Sequence, residues 1–358
     1  MSERQPTSHQ EPAPSMGDTQ TTAGLSDLIA RWRRESQAVE DLMPWVRSRM
    51  AAVFSAVEPV PEHDPFDENM YRWGMSTGVY SAVNAHELAA MQCGLVVRRC
   101  MPNLPDQARE PVAMYLIWIT AVDDGMVDHG SSLDEVAAVA DGVLRRGETT
   151  SESPTARAMA DLRRTLLERG GTDLLPILAD LVGENLEAFR RKQTHLREDR
   201  LPPLNEYVAL RGLDDSIRPM VAMHQWFLSP TSAEGAAATL LDELNRLAGQ
   251  LGGLVNDLLG LPADLARPEF MNVVFALAQD YQVSLVTACR AAVAVVETLH
   301  ERAEWVCNAI RTLPDGSPAL VQQAEAALYW PDVLHLWTST GSRHSPEHAY
   351  GPTSVRTL

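Results

Sequence analysis

From Leu25 to Thr340 apolar residues recur three and four positions apart almost without interruption, and no run of alternating β-branched residues is long enough to build a sheet. Such a chain must bury its apolar stripes by packing helix on helix. Pro and Gly interrupt the pattern at intervals, and the spacing predicts helices over 25–57, 70–101, 107–129, 132–147, 154–170, 173–196, 203–228, 234–261, 267–280, 283–313 and 317–340. Ser132 with Glu135 reads as a capping box ahead of Val136, and Ser284 as the cap of the long helix after it. Pro102 and Pro105 mark one loop, and Pro202 and Pro203 another. No fixed-period repeat is visible, which argues against a solenoid. The connections are too short for a domain break. The expectation is a single all-α domain over 25–344, a disordered polar extension at 1–24 and a flexible tail at 345–358.

The net charge of −18 argues against a nucleic-acid surface, which needs clustered Lys and Arg. It leaves room for a small polyanion, because a local Arg pair with bound divalent cations reverses the field inside one cleft. Lys192 is the only lysine, which reads, with the abundance of Ala, as coding bias. The four cysteines (Cys93, Cys100, Cys289, Cys307) lack metal-ligand spacing and read as core thiols of a cytoplasmic protein. No secretory signal is visible, and no apolar run approaches the ~18 residues a membrane-spanning helix needs.

Two acidic clusters, about 130 residues apart, stand out because both sit in apolar segments where an uncompensated carboxylate is costly. The first is Asp123-Asp124-Gly125-Met126-Val127-Asp128, which follows the apolar run Met114 to Thr120. Asp124 and Asp128 share a helix face, and Asp123 lies about 100° round from Asp124. The second is Asn256-Asp257-Leu258-Leu259-Gly260-Leu261-Pro262-Ala263-Asp264, in which Asn256, Gly260 and Asp264 fall on one stripe at i, i+4, i+8. Carboxylate and amide oxygens are hard donors suited to Mg²⁺, and Mg²⁺ in turn holds phosphate oxygens. Each cluster taken alone also fits an ordinary solvated helix end.

Together they resemble the bacterial class I terpene synthases, whose aspartate-rich motif DDxxD/E or DDxxxD/E precedes a metal triad NDxxSxxxE at a similar separation. The strings here are DDGMVD and NDLLGLPAD. Three further features are similar to the family. An Asn-hydrophobic stretch, Met271-Asn272-Val273-Val274-Phe275, follows the triad. Trp337-Thr338-Ser339-Thr340-Gly341-Ser342-Arg343-His344 keeps the family's Trp-to-Arg spacing. Arg211, 45 residues before Asn256, stands where the family has an Arg that senses pyrophosphate. The resemblance covers roughly 40–345.

It implies an all-α bundle around a central apolar cavity, three Mg²⁺ ions, and an isoprenyl diphosphate substrate, farnesyl (C15) as first choice and geranylgeranyl (C20) as second. It implies ionisation to pyrophosphate and an allyl cation, then cyclisation to a terpene hydrocarbon or alcohol. The metal ligands it implies are Asp123, Asp124, Asp128, Asn256, Gly260 and Asp264. Arg211, Asp214, Asp215, Arg343 and His344 are the implied substrate contacts, and Asp123, Arg211 and Arg343 carry the catalytic roles. Asp215 or Ser216 falls at a helix break in the family pattern. The departures are His344 for Tyr, Gly260 for a Ser hydroxyl, whose place a water fills, and Asp264 for Glu. Pro262 is expected to kink or end the helix before Asp264. His129 and His224 read as structural rather than as bases, and the large aromatics, taken singly, as core. Other readings are a prenyl chain-elongating synthase and a catalytically inactive helical binding protein. Dimerisation is left open.

Overall fold

A computed structural model of the chain describes residues 25–54, 64–129, 132–148, 151–230, 233–266, 270–314 and 316–340, with the side chains of 124–129 and 339–340 outside the description. Among the described residues there are fifteen helices and no strand. They run α1 (Leu25–Arg33), α2 (Ser36–Val53), α3 (Pro65–Thr77), α4 (Ala85–Met91) and α5 (Cys93–Cys100). Then come α6 (Asp106–His129), α7 (Leu133–Arg146), α8 (Pro154–Glu168), α9 (Leu174–Arg197) and α10 (Leu204–Asp214). The last five are α11 (Ile217–Leu228), α12 (Gly235–Ala266), α13 (Val273–Asp280), α14 (Leu285–Arg311) and α15 (Pro318–Thr340).

Two helices form the spine. In α6 every residue from Val112 to Ile119 is buried, as expected of a segment apolar on all sides. In α12 the residues from Leu247 to Val255 are all buried, and α10, α14 and α15 pack around it. Two buried tryptophans find partners for their indole N–H groups, which offsets the cost of burying them. Trp118 Nε1 donates to the Thr155 carbonyl, and Trp330 Nε1 to His224 Nδ1. Burial lowers the His224 pKa to about 4, so the ring is the neutral acceptor that Trp330 requires, a structural histidine. Trp305, by contrast, is largely exposed.

The caps behave as expected. Ser132 Oγ accepts from Glu135 N, and Ser284 Oγ from Thr287 N. The long segments are more broken than periodicity alone suggests. The span 25–57 divides between α1 and α2, and 70–101 starts earlier, at Pro65, and divides into α3, α4 and α5. Gly78, at φ +80°, closes α3, and Gln92, at φ +49°, separates α4 from α5. Pro262 does not end α12, which continues to Ala266. Packing on several sides and a side-chain tie at Asp264 outweigh the single hydrogen bond the proline removes. All four cysteines are buried and free. Among the described residues no single helix is long and apolar enough to cross a membrane.

Candidate active site

The site is built where α10 crosses α12. Three glycines permit the approach. A Cβ on Gly249 would stand 2.5 Å from the Gly212 carbonyl oxygen, and one on Gly253 would stand 2.8 Å from Arg211 Cγ. A Cβ on Gly212 would meet Gln250 Cγ at 2.6 Å. With only hydrogens at these positions the backbones come close enough to lay Arg211 across the second acidic cluster.

Arg211 divides its guanidinium among three acceptors. Nε donates to Asp257 Oδ1 (2.9 Å), Nη1 to Asp214 Oδ1 (2.6 Å) and Nη2 to Asn256 Oδ1 (3.3 Å). Its side chain is 15% exposed, against 4% for Asp214 and 3% for Asp257. Burial works against the cation, but the carboxylates of Asp214 and Asp257 hold its pKa well above the ordinary arginine value. Burial raises Asp214, and the charges of Arg211 and Lys192 pull it back.

The helix ends one turn after this arginine. Ser216, in the left-handed region at φ +67°, separates α10 from α11, at the position the family pattern indicates. Asp215 Oδ1 accepts from Ile217 N (3.2 Å), while its Oδ2 is buried without a hydrogen-bond partner. Burial drives the Asp215 pKa well above the usual carboxylate range. The break is fixed from below by Asn185 of α9. Asn185 Nδ2 donates to the Leu213 carbonyl (2.7 Å), and its Oδ1 accepts from Ser216 Oγ and Tyr115 Oη, both at 3.2 Å. Tyr115 lies on α6, two turns before Asp123, so one amide joins the helix break to the helix of the first acidic cluster.

Asp257 turns inward from α12. Its Oδ2 accepts from Tyr207 Oη (2.6 Å) and Val273 N (2.9 Å), and its Oδ1 holds Arg211. Its acceptors are committed to the scaffold. Asn272 caps α13 and ties down the end of α12, donating to the Asp257 carbonyl and to Asp264 Oδ2, both at 2.8 Å. Gly260 lies buried on the same helix and brings no side-chain donor. On the α6 side, Asp123 Oδ1 stands 4.0 Å from Lys192 Nζ of α9, with the Asp123 side chain 37% exposed.

The structure therefore joins Arg211, Asp214 and Asn256 directly and sets Asp215 beside them. It reaches Asp264 through Asn272, and Asp123 through Lys192, whose charge also acts on Asp214. The backbone of Asp124 and Asp128 lies in α6, with their side chains outside the description; Arg343 and His344 lie outside the described residues. Sequence reasoning gave Asp257 and Asn185 no role, noted Asn272 only as part of a family stretch, and read Lys192 as coding bias. Two hollows, of about 230 and 170 Å³, lie against α7–α8 and α3–α6 and do not touch this cluster.

The donor set fits a hard divalent cation. Asp123 and Asp264 offer carboxylate oxygens and Asn256 an amide oxygen, and two of these already face a positive side chain, Lys192 at Asp123 and Arg211 at Asn256. Among the described residues no three His, Cys, Asp or Glu side chains converge on one point.

Residues 114–302, more than half of the chain, match the family described as terpene synthase family 2, C-terminal metal binding. A (+)-T-muurolol synthase ((2E,6E)-farnesyl diphosphate cyclizing) of Roseiflexus castenholzii is 22% identical over 319 residues, covering 84% of this chain and 95% of that protein. The crystal structure of 2-methylisoborneol synthase from Streptomyces coelicolor A3(2), in complex with Mg²⁺ and 2-fluoroneryl diphosphate, shares the fold at a TM-score of 0.70. It is 19% identical and covers 81% of this chain and 96% of that one. The SVS_A2 protein from ancestral sequence reconstruction matches at a TM-score of 0.68 and 16% identity, over 80% of this chain and 88% of that one. The all-helical fold and this family match together define a class I terpene synthase. The chain belongs to terpene synthase family 2.

Proposed function

We propose that the chain is a Mg²⁺-dependent cyclase that ionises an isoprenyl diphosphate and closes the resulting allyl cation into a terpene hydrocarbon or alcohol. Farnesyl diphosphate is the first candidate substrate and geranylgeranyl diphosphate the second. The T-muurolol synthase, a farnesyl diphosphate cyclase by name, supports that order. The observation that carries the reading is the placement of Arg211. It lies partly buried one turn before the helix break and is bound at once to Asp214 and to the first residue of the triad.

Asp257 anchors the Nε end of the guanidinium, and Asp214 orients Nη1. The Nη2 contact to Asn256 is the longest of the three, so that edge is the one a diphosphate oxygen would take over. In this proposal Asp123, Asp124 and Asp128 on one side, and Asn256 and Asp264 on the other, would hold three Mg²⁺ ions, and a water would take the place of a side-chain ligand at Gly260. Bound Mg²⁺ would draw negative charge from the departing diphosphate. Arg343 and His344 complete the set of diphosphate contacts. The buried apolar stretch of α6 before Asp123 would supply a hydrocarbon wall, which a carbocation needs if water is not to quench it.

The test is incubation of the full-length protein with C10, C15, C20 and C25 diphosphates, with and without Mg²⁺, followed by mass spectrometry of the organic extract. The expected result is a cyclic product from the C15 substrate only when Mg²⁺ is present. Longer linear diphosphates, or no Mg²⁺-dependent product at any length, would overturn the proposal.

A further inference from the structure

Every positively charged side chain in the network on and around the site is an arginine except one. Lys192 is the only lysine in the chain, and it stands on α9 facing Asp123. Its side chain is 16% exposed, so it is held in the fold and does not wave in solvent. Its ammonium lies 4.0 Å from Asp123 Oδ1 on one side of the mouth, and its charge reaches Asp214, the partner of Arg211, on the other. An arginine makes fixed, forked contacts, as Arg211 does here. A lysine is a compact point charge on a flexible stem, with three donors that exchange partners easily.

We propose that Lys192 is a diphosphate-binding residue that serves as the counter-ion of Asp123 until metal arrives, and so makes Mg²⁺ uptake depend on diphosphate. The inference rests on the reading of this site as a Mg²⁺–diphosphate site. Without diphosphate, a divalent cation at Asp123 meets an ammonium already in place, and the like charges oppose each other in a partly desolvated cleft. With diphosphate present, the ammonium has a second anion within reach. It leaves the carboxylate to the metal and keeps a charge-assisted partner. Lys192 then adds a positive charge to the leaving group from α9, a helix that carries neither acidic motif.

The test compares wild type, Lys192→Gln and Lys192→Arg by thermal unfolding, with additions of Mg²⁺ alone, inorganic pyrophosphate alone, and both. In wild type the pair of ligands should raise Tm well beyond the sum of the two separate effects. In K192Q the affinity for pyrophosphate in Mg²⁺ should fall about tenfold or more, while Mg²⁺ alone should bind more tightly than to wild type. K192R, which keeps the charge, should recover part of the pyrophosphate affinity. A second measurement needs no variant. Because the chain has one lysine, amine acylation followed by peptide mass spectrometry reads Lys192 directly, and Mg²⁺ with pyrophosphate should slow its labelling relative to Mg²⁺ alone. Unchanged pyrophosphate affinity in K192Q, or labelling of Lys192 indifferent to these additions, overturns the role of Lys192 and leaves the diphosphate site standing. A wild type that responds to neither ligand nor their combination overturns both.

Discussion

The two sides of the site are built differently. On the α10–α12 side Arg211 is largely shielded and committed to three acceptors, Asp257 is buried and committed to three donors, and glycines bring the backbones together. On the α6 side Asp123 is more than a third exposed, and its ion pair with Lys192 is at the outer limit of contact. One half is assembled by the protein alone. The other presents a partly exposed carboxylate in the last turns of α6 to a single lysine. A buried arginine can be pre-positioned because its carboxylates neutralise it, whereas a carboxylate cluster packed tightly without cations would repel itself.

Removing the centre of the closed side should therefore cost the fold as well as the chemistry. Arg211→Gln leaves Asp214 and Asp257 buried without their cation, and about 3–5 kcal/mol of stability should be lost in urea unfolding without metal. A loss under ~1 kcal/mol would show that the closed side is not held by this arginine. Asp123→Ala should do the reverse, lowering turnover roughly a hundred- to a thousandfold while melting like wild type without Mg²⁺. Unchanged product formation would remove Asp123 from the metal site. Gly249→Ala pushes a methyl against the Gly212 carbonyl and should cost about 1–3 kcal/mol, with a drop in kcat as Arg211 is displaced. Wild-type stability and kcat together would mean the helix crossing has slack. The smallest effect is expected where the two sides are joined. Tyr115→Phe removes one of two donors to Asn185 Oδ1, which keeps Ser216, and should cost about 0.5–1.5 kcal/mol in urea unfolding. A loss of several kcal/mol would place the coupling of α6 to the helix break in Tyr115 itself.

This contrast also explains what could be read in the chain beforehand. The apolar run before Asp123 and the stripe before Asn256 are local patterns, and each became a buried helix. The caps at Ser132 and Ser284 are local too, and each forms its hydrogen bond. Asp257 was overshadowed by its neighbour Asn256, because only the fold shows that its carboxylate points inward to Tyr207 and Val273. Asn185 and Lys192 gain their positions from helices far away in sequence, and no motif flags them. The one available signal for Lys192 was its singularity in an arginine-rich chain. The break between α1 and α2 and the splitting of 70–101 were missed because apolar periodicity runs through them, while left-handed turns at Gly78 and Gln92 interrupt the backbone. Pro262 taught the opposite lesson: a strong local breaker was overridden by packing around α12.

The central claim is that the α6 and α12 acidic segments serve one diphosphate. A crystal structure of the full chain with Mg²⁺ and inorganic pyrophosphate tests it most directly. The account predicts metal ions bridging pyrophosphate to Asp123 on one side and to Asn256 on the other, with Arg211 on the anion. Pyrophosphate bound elsewhere, or metal confined to one segment with no shared anion, would contradict it.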